Sequence, residues 1–400
     1  MFGVENAVAA VEFTFVPQLA LIELKGMPVD KNLLKNMLTD IQSKYQRMYI
    51  EFVRNYGVDP FSPAKVSNWL VNKVGITLPK TQKGALSSQD KALKKYEHLK
   101  EVRQLMEIRT TKKLLDKLKE LNEHTRNDPS DSDTVRIHSQ FRQIGAPTGR
   151  MSSSKPNLQN IPPELRVLFR PSKGYSMIVA DYSQIELRIA AEYTNDEVMI
   201  NAFKEGKDLH RFTASLITGK SYEEITKEER QLAKAINFGL IYGISPRSLM
   251  EYARNNYGVD ISLKEAQDFH DKFFQHYRGF KKWHEETKEK LNKHRQITVQ
   301  SLLGRRMKVS RFTDAVNYPI QASGSDMLKM AVNFFGILKK DLNAYIVNLV
   351  HDEIIVEAKE DITVQAKNIL EESMKKAGKI LLKKVPVEYE ANIVKSWAEK

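Results

Sequence analysis

Residues 177–188 read MIVADYSQIELR, and the rest of the chain is arranged around this stretch. Met177 to Ala180, preceded by the turn-like Ser172-Lys173-Gly174, form a short apolar run of the kind that makes a buried strand. Asp181 stands at its end. Ser183 then opens a helical run, QIELRIAAEY, with serine a favoured N-cap. A carboxylate where a strand passes into a helix is held on rigid elements at the edge of a cleft, a suitable place for a metal-binding acid. A second acid stands far downstream. Residues 346–357, IVNLVHDEIIVE, place His351-Asp352-Glu353 between two β-branched apolar runs, which predicts a β-hairpin whose turn exposes carboxylates. With that hairpin beside the Asp181 strand, Asp181 and Asp352 can share two Mg²⁺ ions, each usually held by one or two carboxylates plus substrate phosphates. Two metals about 4 Å apart activate an attacking oxygen and stabilise the leaving one in phosphoryl transfer.

The chain has 400 residues, which suits two or three subdomains around a cleft. Its 41% hydrophobic content supports a large core and excludes wholesale disorder. There is no cysteine, so disulfides and thiolate metal sites are excluded. Uninterrupted apolar runs fall well short of a membrane span, and the acid-bearing N-terminus MFGVENAVAAVEF lacks the basic start of a signal peptide. The expectation is a cytoplasmic protein without a membrane segment. A net charge of +13 favours a polyanionic partner through phosphate contacts and counterion release.

Along the chain, residues 13–40 mix strand-like and helical patterns. Two long amphipathic segments, 36–56 and 90–122, flank a basic middle punctuated by Gly, Pro and Ser. That arrangement fits a helical hairpin lying along a nucleic-acid backbone and, equally, a solvated hairpin with surface lysines. Asn127–Thr134, NDPSDSDT, reads as the clearest loop. Helical runs are expected at 228–242, 263–277 and 280–294, then a basic turn at Gly304-Arg305-Arg306, a helix at 321–341, the 346–357 hairpin, a helix at 361–380 and a strand near 385–394. The pattern is an α+β base carrying two helical arms.

Within EERQLAKAINFGLIYG, Arg230, Lys234, Phe238 and Tyr242 recur every four residues. On a helix they form a gently spiralling stripe roughly 18 Å long. Two cations followed by two aromatics suit a ligand with phosphates at one end and a flat base at the other; a core helix with solvated basic residues has the same spacing. Arg150, in APTGRMSSS, precedes Asn157, Gln159 and Asn160, polar groups on irregular backbone suited to sugar, phosphate or minor-groove bonds and also found in plain surface loops. His210, in DLHRFTA, and the amides Asn317 and Gln321, in NYPIQASGSD, are as readily structural as functional.

Taken together and in this order, TGRMSSSxPNLQNIP, DYSQIELR, RxxxKxxxFxxxYG and VHDE closely resemble the family A DNA polymerases, the polymerase I type. The resemblance runs from about residue 13 to the C-terminal IVKSW. It implies a right-hand polymerase fold with an antiparallel-sheet palm at 1–40, 126–196 and 300–400, a helical thumb at 41–125 and helical fingers at 197–299. It also implies residue roles. Asp181 and Asp352 would hold two Mg²⁺ ions with help from the Tyr182 carbonyl. Glu353 would be an auxiliary acid, and His351 would touch the primer terminus. Arg230, Lys234 and His210 would grip the triphosphate. Phe238 would pack on the incoming sugar and base, Tyr242 would control the templating base, and Gln184 would join the nucleotide contacts. Glu186 would close the pocket against a ribose 2′-hydroxyl. Arg150, Asn157, Gln159, Asn160, Asn317 and Gln321 would hold primer–template DNA at its minor groove, where contacts tolerate any sequence.

The resemblance implies a monomer that uses primer–template DNA and deoxynucleoside triphosphates. Motifs of a 3′–5′ proofreading or 5′ nuclease domain are missing, so neither activity is expected. A basic residue usual four positions before the Asn of NYPIQ is here Thr313, with Arg311 a candidate substitute. Some family members copy RNA templates. A single-subunit RNA polymerase shares the two-aspartate palm, but Glu186 speaks against it; a silent DNA-binding scaffold has no need of Asp181, Asp352, Arg230 and Lys234.

Overall fold

The computed structural model describes residues 4–81 and 83–399. The chain starts with helix α1 (Val4–Lys25), strand β1 (Met27–Asp30) and helix α2 (Lys31–Tyr56). Asp30 caps α2 by accepting the Leu33 N–H at 2.8 Å, and Gly57, at φ 65°, ends it. Helix α3 (Pro63–Asn72) and the single turn α4 (Asp90–Leu93) precede helix α5 (Lys100–Glu123). The helix expected over 90–122 is therefore broken around residues 94–99. The basic segment between the long helices has a core of its own, with Val66, Trp69, Leu70 and Leu93 buried against Phe52 of α2 and Leu105 of α5.

Strands β2 (Thr125–Asp128) and β3 (Asp131–Ile137) occupy the stretch expected to be a loop. NDPSDSDT is instead the turn and flanks of a hairpin. Asp128 accepts the Ser130 N–H at 2.9 Å and the Arg136 guanidinium at 2.5 Å, and β3 also pairs with β1 in the order β1-β3-β2. Turn-forming residues hid the ladder because its third strand lies about a hundred residues upstream.

A small hairpin, β4 (Gln140–Arg142) with β5 (Ser152–Ser154), encloses the Gly145–Arg150 loop. Strand β6 (Tyr175–Tyr182) leads into seven helices: α6 (Ile185–Thr194), α7 (Glu197–Lys204), α8 (Leu209–Thr218), α9 (Lys227–Ile241), α10 (Pro246–Tyr257), α11 (Leu263–His276) and α12 (Arg278–Lys293). The helical runs expected at 228–242, 263–277 and 280–294 are α9, α11 and α12. Thr226 with Glu229 and Ser262 with Glu265 form capping boxes that fix where α9 and α11 begin.

Then come the hairpin β7 (Ile297–Gln300) and β8 (Arg306–Val309), helix α13 (Phe312–Leu338), the hairpin β9 (Ala344–Val350) and β10 (Glu353–Lys359), helix α14 (Thr363–Leu381) and strand β11 (Tyr389–Val394). Helix α13 begins well before the expected residue 321 and accommodates Pro319.

The organising sheet is antiparallel in the order β11-β6-β10-β9, with β6 central. Ile178, Ala180 and Tyr182 of β6 join the core that contains α1, α13 and α14; Met177 and Val179 join a second core around Leu168, Phe169 and Trp397. A strand covered on both faces reads as a continuous apolar run, which is why MIVA does not alternate with polar residues.

One expectation needs correction. Ala7–Lys25 is long and apolar enough, by length and composition, to cross a membrane. Counting uninterrupted apolar residues missed it, because Glu12 and Glu23 interrupt the run. In the fold, Val11, Phe15, Leu19 and Ile22 of this helix pack into the main core, and Glu12 binds Arg305 and Lys329, while Phe13, Val16, Leu21 and Leu24 stay exposed.

Candidate active site

Pairing of β6 with β10 sets Asp181 directly opposite Glu353. The β9–β10 hairpin turns in two residues, His351 and Asp352, so Asp352 stands one residue from the position facing Asp181. His351 has φ 55°, an uncommon conformation for a side-chain-bearing residue and one often found at functional sites. Glu353 departs from the expected exposed turn. It is buried, and its carboxylate accepts the Trp397 indole N–H at 2.7 Å. After β6 the chain reverses into α6 through Gln184, at φ 51°, and no side chain caps that helix. Ser183 is therefore not the N-cap; its N–H goes to the Glu388 carbonyl at 3.0 Å.

A cavity of about 300 Å³ opens at this point, lined among others by Arg150, Tyr182, Gln184, Glu186, Phe238, His351 and Asp352. Seven expected site residues, spread over two hundred positions, thus share one wall. Glu186 is its hub. One carboxylate oxygen accepts Arg150 at 2.5 Å and the other accepts the Tyr242 hydroxyl at 2.5 Å. Burial, reinforced by the Glu186 carboxylate, pushes the Tyr242 hydroxyl well above its usual pKa, so it remains a donor.

The stripe Arg230, Lys234, Phe238, Tyr242 lies on α9 and its C-cap, half-buried throughout, while Ala233, Ala235, Ile236, Asn237, Leu240 and Ile241 are buried. It is therefore the partly open side of a packed helix, and Phe238 of the stripe lines the cavity. Arg230 is held by Asp208, the N-cap of α8, at 2.7 and 3.2 Å. His210 differs from a charged clamp. It is buried, and desolvation together with Arg230 and Lys234 lowers its pKa to about 4 despite Asp208, so the ring is neutral near pH 7. Its Nδ1 sits 3.0 Å from the Asn237 amide nitrogen, and its ring packs 5.7 Å from that of Phe238.

The expected DNA contacts divide. Asn157 and Asn160 are exposed, but the Asn157 amide oxygen accepts Ser153 Oγ and the Gln159 N–H. The Gln159 side chain donates to the Leu349 carbonyl on β9 at 3.1 Å, tying its loop to the carboxylate hairpin. Asn317 and Gln321 lie one turn apart inside α13 rather than at its cap, and the Asn317 side-chain oxygen is buried without a hydrogen-bond partner. Thr313 is exposed; Arg311 is paired with Asp314 at 2.7 and 3.1 Å.

Sequence reading missed the residues that hold the site in place. Lys329, fully buried, donates to Glu12 at 2.7 Å, to the Gln143 carbonyl at 3.0 Å and to the Gly149 carbonyl at 2.8 Å, where Ser325 Oγ also donates. Gly149, at φ 76°, lies where a Cβ would meet the Arg305 guanidinium at 2.7 Å, and Arg305 in turn binds Asp326 and Glu12. This network fixes the loop that presents Arg150. The Lys and Asp of SGSDMLK were its only sequence signal, being charges on an otherwise apolar helix.

Among the described residues no cluster of three or more His, Asp or Glu is arranged to hold a metal. Asp181 and Asp352 carry carboxylate oxygens of the kind a hard cation such as Mg²⁺ could take together with substrate phosphates.

Comparison with known proteins places these features. The family described as DNA polymerase family A matches residues 31–399. DNA polymerase I of Aquifex aeolicus is 50% identical over the whole chain, which spans 69% of that protein. DNA polymerase I of Pseudomonas aeruginosa is 32% identical over 97% of this chain and 44% of its own length. The thermostable DNA polymerase I of Thermus filiformis is 32% identical over 95% and 47%. The chain thus spans about half the length of several curated relatives. The POL domain of Pol1 from M. smegmatis, solved in complex with DNA primer-template and dNTP, superposes with a TM-score of 0.86 at 28% identity, covering 97% of this chain and 70% of that one. The chain belongs to DNA polymerase family A, with that family's right-hand α+β fold.

Proposed function

We propose that the chain is a template-directed DNA polymerase that adds deoxynucleotides to a primer 3′-end, with the palm at 1–40, 126–196 and 300–400, the thumb at 41–125 and the fingers at 197–299. The observation that carries this reading is the single cavity shared by Asp352, Tyr182, Glu186, Arg150 and Phe238. Asp181 and Asp352, with the Tyr182 backbone, would hold two Mg²⁺ ions. Bound there, the ions supply positive charge to the attacking and departing oxygens. Arg230 and Lys234 bind the triphosphate as fixed cations, and His210 contributes a neutral N–H. Phe238 packs against the incoming sugar and base, with Gln184 beside it. Glu186, held from both sides, occupies the space a ribose 2′-hydroxyl would need. Arg150, Asn157, Gln159, Asn160, Asn317 and Gln321 face the primer–template minor groove, and His351 reaches the primer terminus. Glu353, bonded to Trp397, acts by holding the hairpin that carries Asp352.

Beyond Tyr242 a groove of about 930 Å³ is lined by Gly243, Phe274, Arg278, Lys282, Lys288 and Phe312 among others. Its mix of cations and rings suits the phosphates and bases of unpaired template. The enzyme acts as a monomer in the cytoplasm, where its DNA and nucleotides are.

Primer extension tests the reading. With Mg²⁺ and deoxynucleotides the protein should copy a DNA template; with ribonucleotides it should extend far less. With nucleotides withheld, a mismatched primer should persist at full length, since the 400 residues carry no nuclease motif. No extension on a primed DNA template would overturn the proposal. An RNA template in the same assay decides whether the chain also reverse transcribes.

A further inference from the structure

Asn237, beside Phe238 in sequence and about two turns beyond Arg230, lies on the flank of α9 that meets α8 and is wholly shielded from solvent. Its amide nitrogen is 3.0 Å from His210 Nδ1, and its amide oxygen has no hydrogen-bond partner. A buried amide is costly unless bonded, and a leucine of similar size fills such a site without that cost. Packing alone therefore does not explain an asparagine here.

The direction of the bond follows from the atoms that meet. The amide nitrogen of Asn237 faces His210 Nδ1 at 3.0 Å, and an amide nitrogen can donate but not accept. Nδ1 is then an acceptor, and the proton of the neutral ring resides on Nε2. The charged groups around the ring are Asp208 on the cap of α8 and Arg230 and Lys234 on α9. Asp208 already clasps Arg230, so α8 and α9 are joined at two points, an ion pair and the Asn237–His210 bond.

We infer that Asn237 is a positioning residue that fixes His210 in the Nε2–H tautomer, so that the imidazole offers a phosphate oxygen an N–H donor and not a lone pair. The inference rests on the proposed triphosphate role of His210. A lone pair aimed at a phosphate oxygen repels it, so the wrong tautomer converts an attraction into a repulsion without moving an atom of the ring.

Two measurements test it. In ¹⁵N-histidine-labelled protein, free of DNA and nucleotide, two-bond NMR correlations read the tautomer of each ring, with His210 assigned through His210→Asn. Wild-type His210 should carry its proton on Nε2. Asn237→Asp, which can only accept at that position, should switch it to Nδ1–H, and Asn237→Leu should leave a mixture. In single-nucleotide incorporation, Asn237→Leu and Asn237→Asp should each raise the nucleotide KM roughly tenfold, the worth of about one hydrogen bond, with primer–template affinity unchanged. Neither should raise KM further when His210 is already Ala. A wild-type ring protonated on Nδ1 overturns the inference, and it needs no variant to fold. So does an equal KM penalty for Asn237→Leu with and without His210. If His210→Ala leaves the nucleotide KM unchanged, the triphosphate role itself fails and the inference falls with it, whatever the tautomer.

Discussion

At the scale of single residues, the proposal that Glu186 gates the sugar rests on how firmly its side chain is held. Arg150 holds one of its oxygens and Tyr242 the other, so the carboxylate has no freedom to swing aside. Rejection of a 2′-hydroxyl then follows from clash rather than from lost attraction. Glu186→Ala should lower the ratio of kcat/KM for dATP to that for ATP on one primer–template, while costing some efficiency with dATP. An unchanged ratio removes Glu186 from sugar selection. The motif DYSQIELR made Glu186 legible, but its two partners lie 36 and 56 residues away in sequence, and only the fold brings them together.

Buried histidines supply a second residue-scale prediction. Desolvation lowers the pKa of His284 to about 4, although its Nε2–H donates to the Ile241 carbonyl at the end of α9 at 3.0 Å. The unfolded chain binds this proton below about 6.5 and the folded chain only below about 4, so the unfolded state holds more protons in between. Stability is full above pH 6.5 and is lost as pH falls towards 4, by up to roughly 3 kcal/mol for this one group. In urea titrations at pH 7 and pH 5, His284→Phe should show a smaller loss on acidification than wild type. An identical loss in both proteins contradicts the buried neutral ring.

At the scale of elements, helices announced themselves through period and caps, whereas the sheets needed partners that sequence order conceals. Segments α9, α11 and α12 were readable because each carries its own apolar face, and α9 and α11 their own capping boxes. The hairpin at 125–137 was not, because NDPSDSDT spells a turn and its stabilising groups are remote. Arg136, buried in β3, bonds Asp128 at 2.5 Å, Ser172 at 2.8 Å and Glu357 of β10 at 2.7 Å. Against the opposing effect of burial, the hydroxyl and N–H of Ser130, and after them Arg136, hold Asp128 at a pKa of about 2. The arginine thereby rivets the three-stranded sheet to the sheet that carries the carboxylates. Replacing it with methionine leaves the fully buried Glu357 with Lys25 at 3.4 Å as its charge partner and the Ser172 N–H and hydroxyl, each at 2.9 Å, as donors. Arg136→Met should cost about 3–5 kcal/mol in unfolding free energy, and adding Glu357→Gln should recover part of it. A single-variant loss under 1 kcal/mol, of the size expected for a surface pair, contradicts the rivet.

At the scale of the whole molecule, the family A DNA polymerase fold places its chemistry where separate parts of the chain meet. Asp181 comes from the central strand, Asp352 from a hairpin 171 residues later, and the stripe proposed to bind phosphates from a helical lobe between them. The motifs named the candidates, and the fold sets Asp352, Glu186, Arg150 and Phe238 on one cavity, with Tyr242 bonded to Glu186. What the sequence did not disclose was the support. Lys329, Arg305 and Glu12, on α13, the β7–β8 turn and α1, join three distant pieces into the mount of the Arg150 loop. Two charges on an apolar stretch of α13, Asp326 and Lys329, mark the support in sequence, but nothing in one dimension says which distant groups they meet.

The central claim is that Asp181 and Asp352 act together as the ligands of the catalytic ions. Single-turnover incorporation of one deoxynucleotide, measured with saturating Mg²⁺ for wild type, Asp181→Ala and Asp352→Ala and paired with primer–template binding, tests it most directly. Each ~1.4 kcal/mol of lost transition-state stabilisation is a factor of ten in rate. Both variants should lose several orders of magnitude in rate while binding DNA within a few-fold of wild type. Turnover near the wild-type rate in either variant would contradict the account.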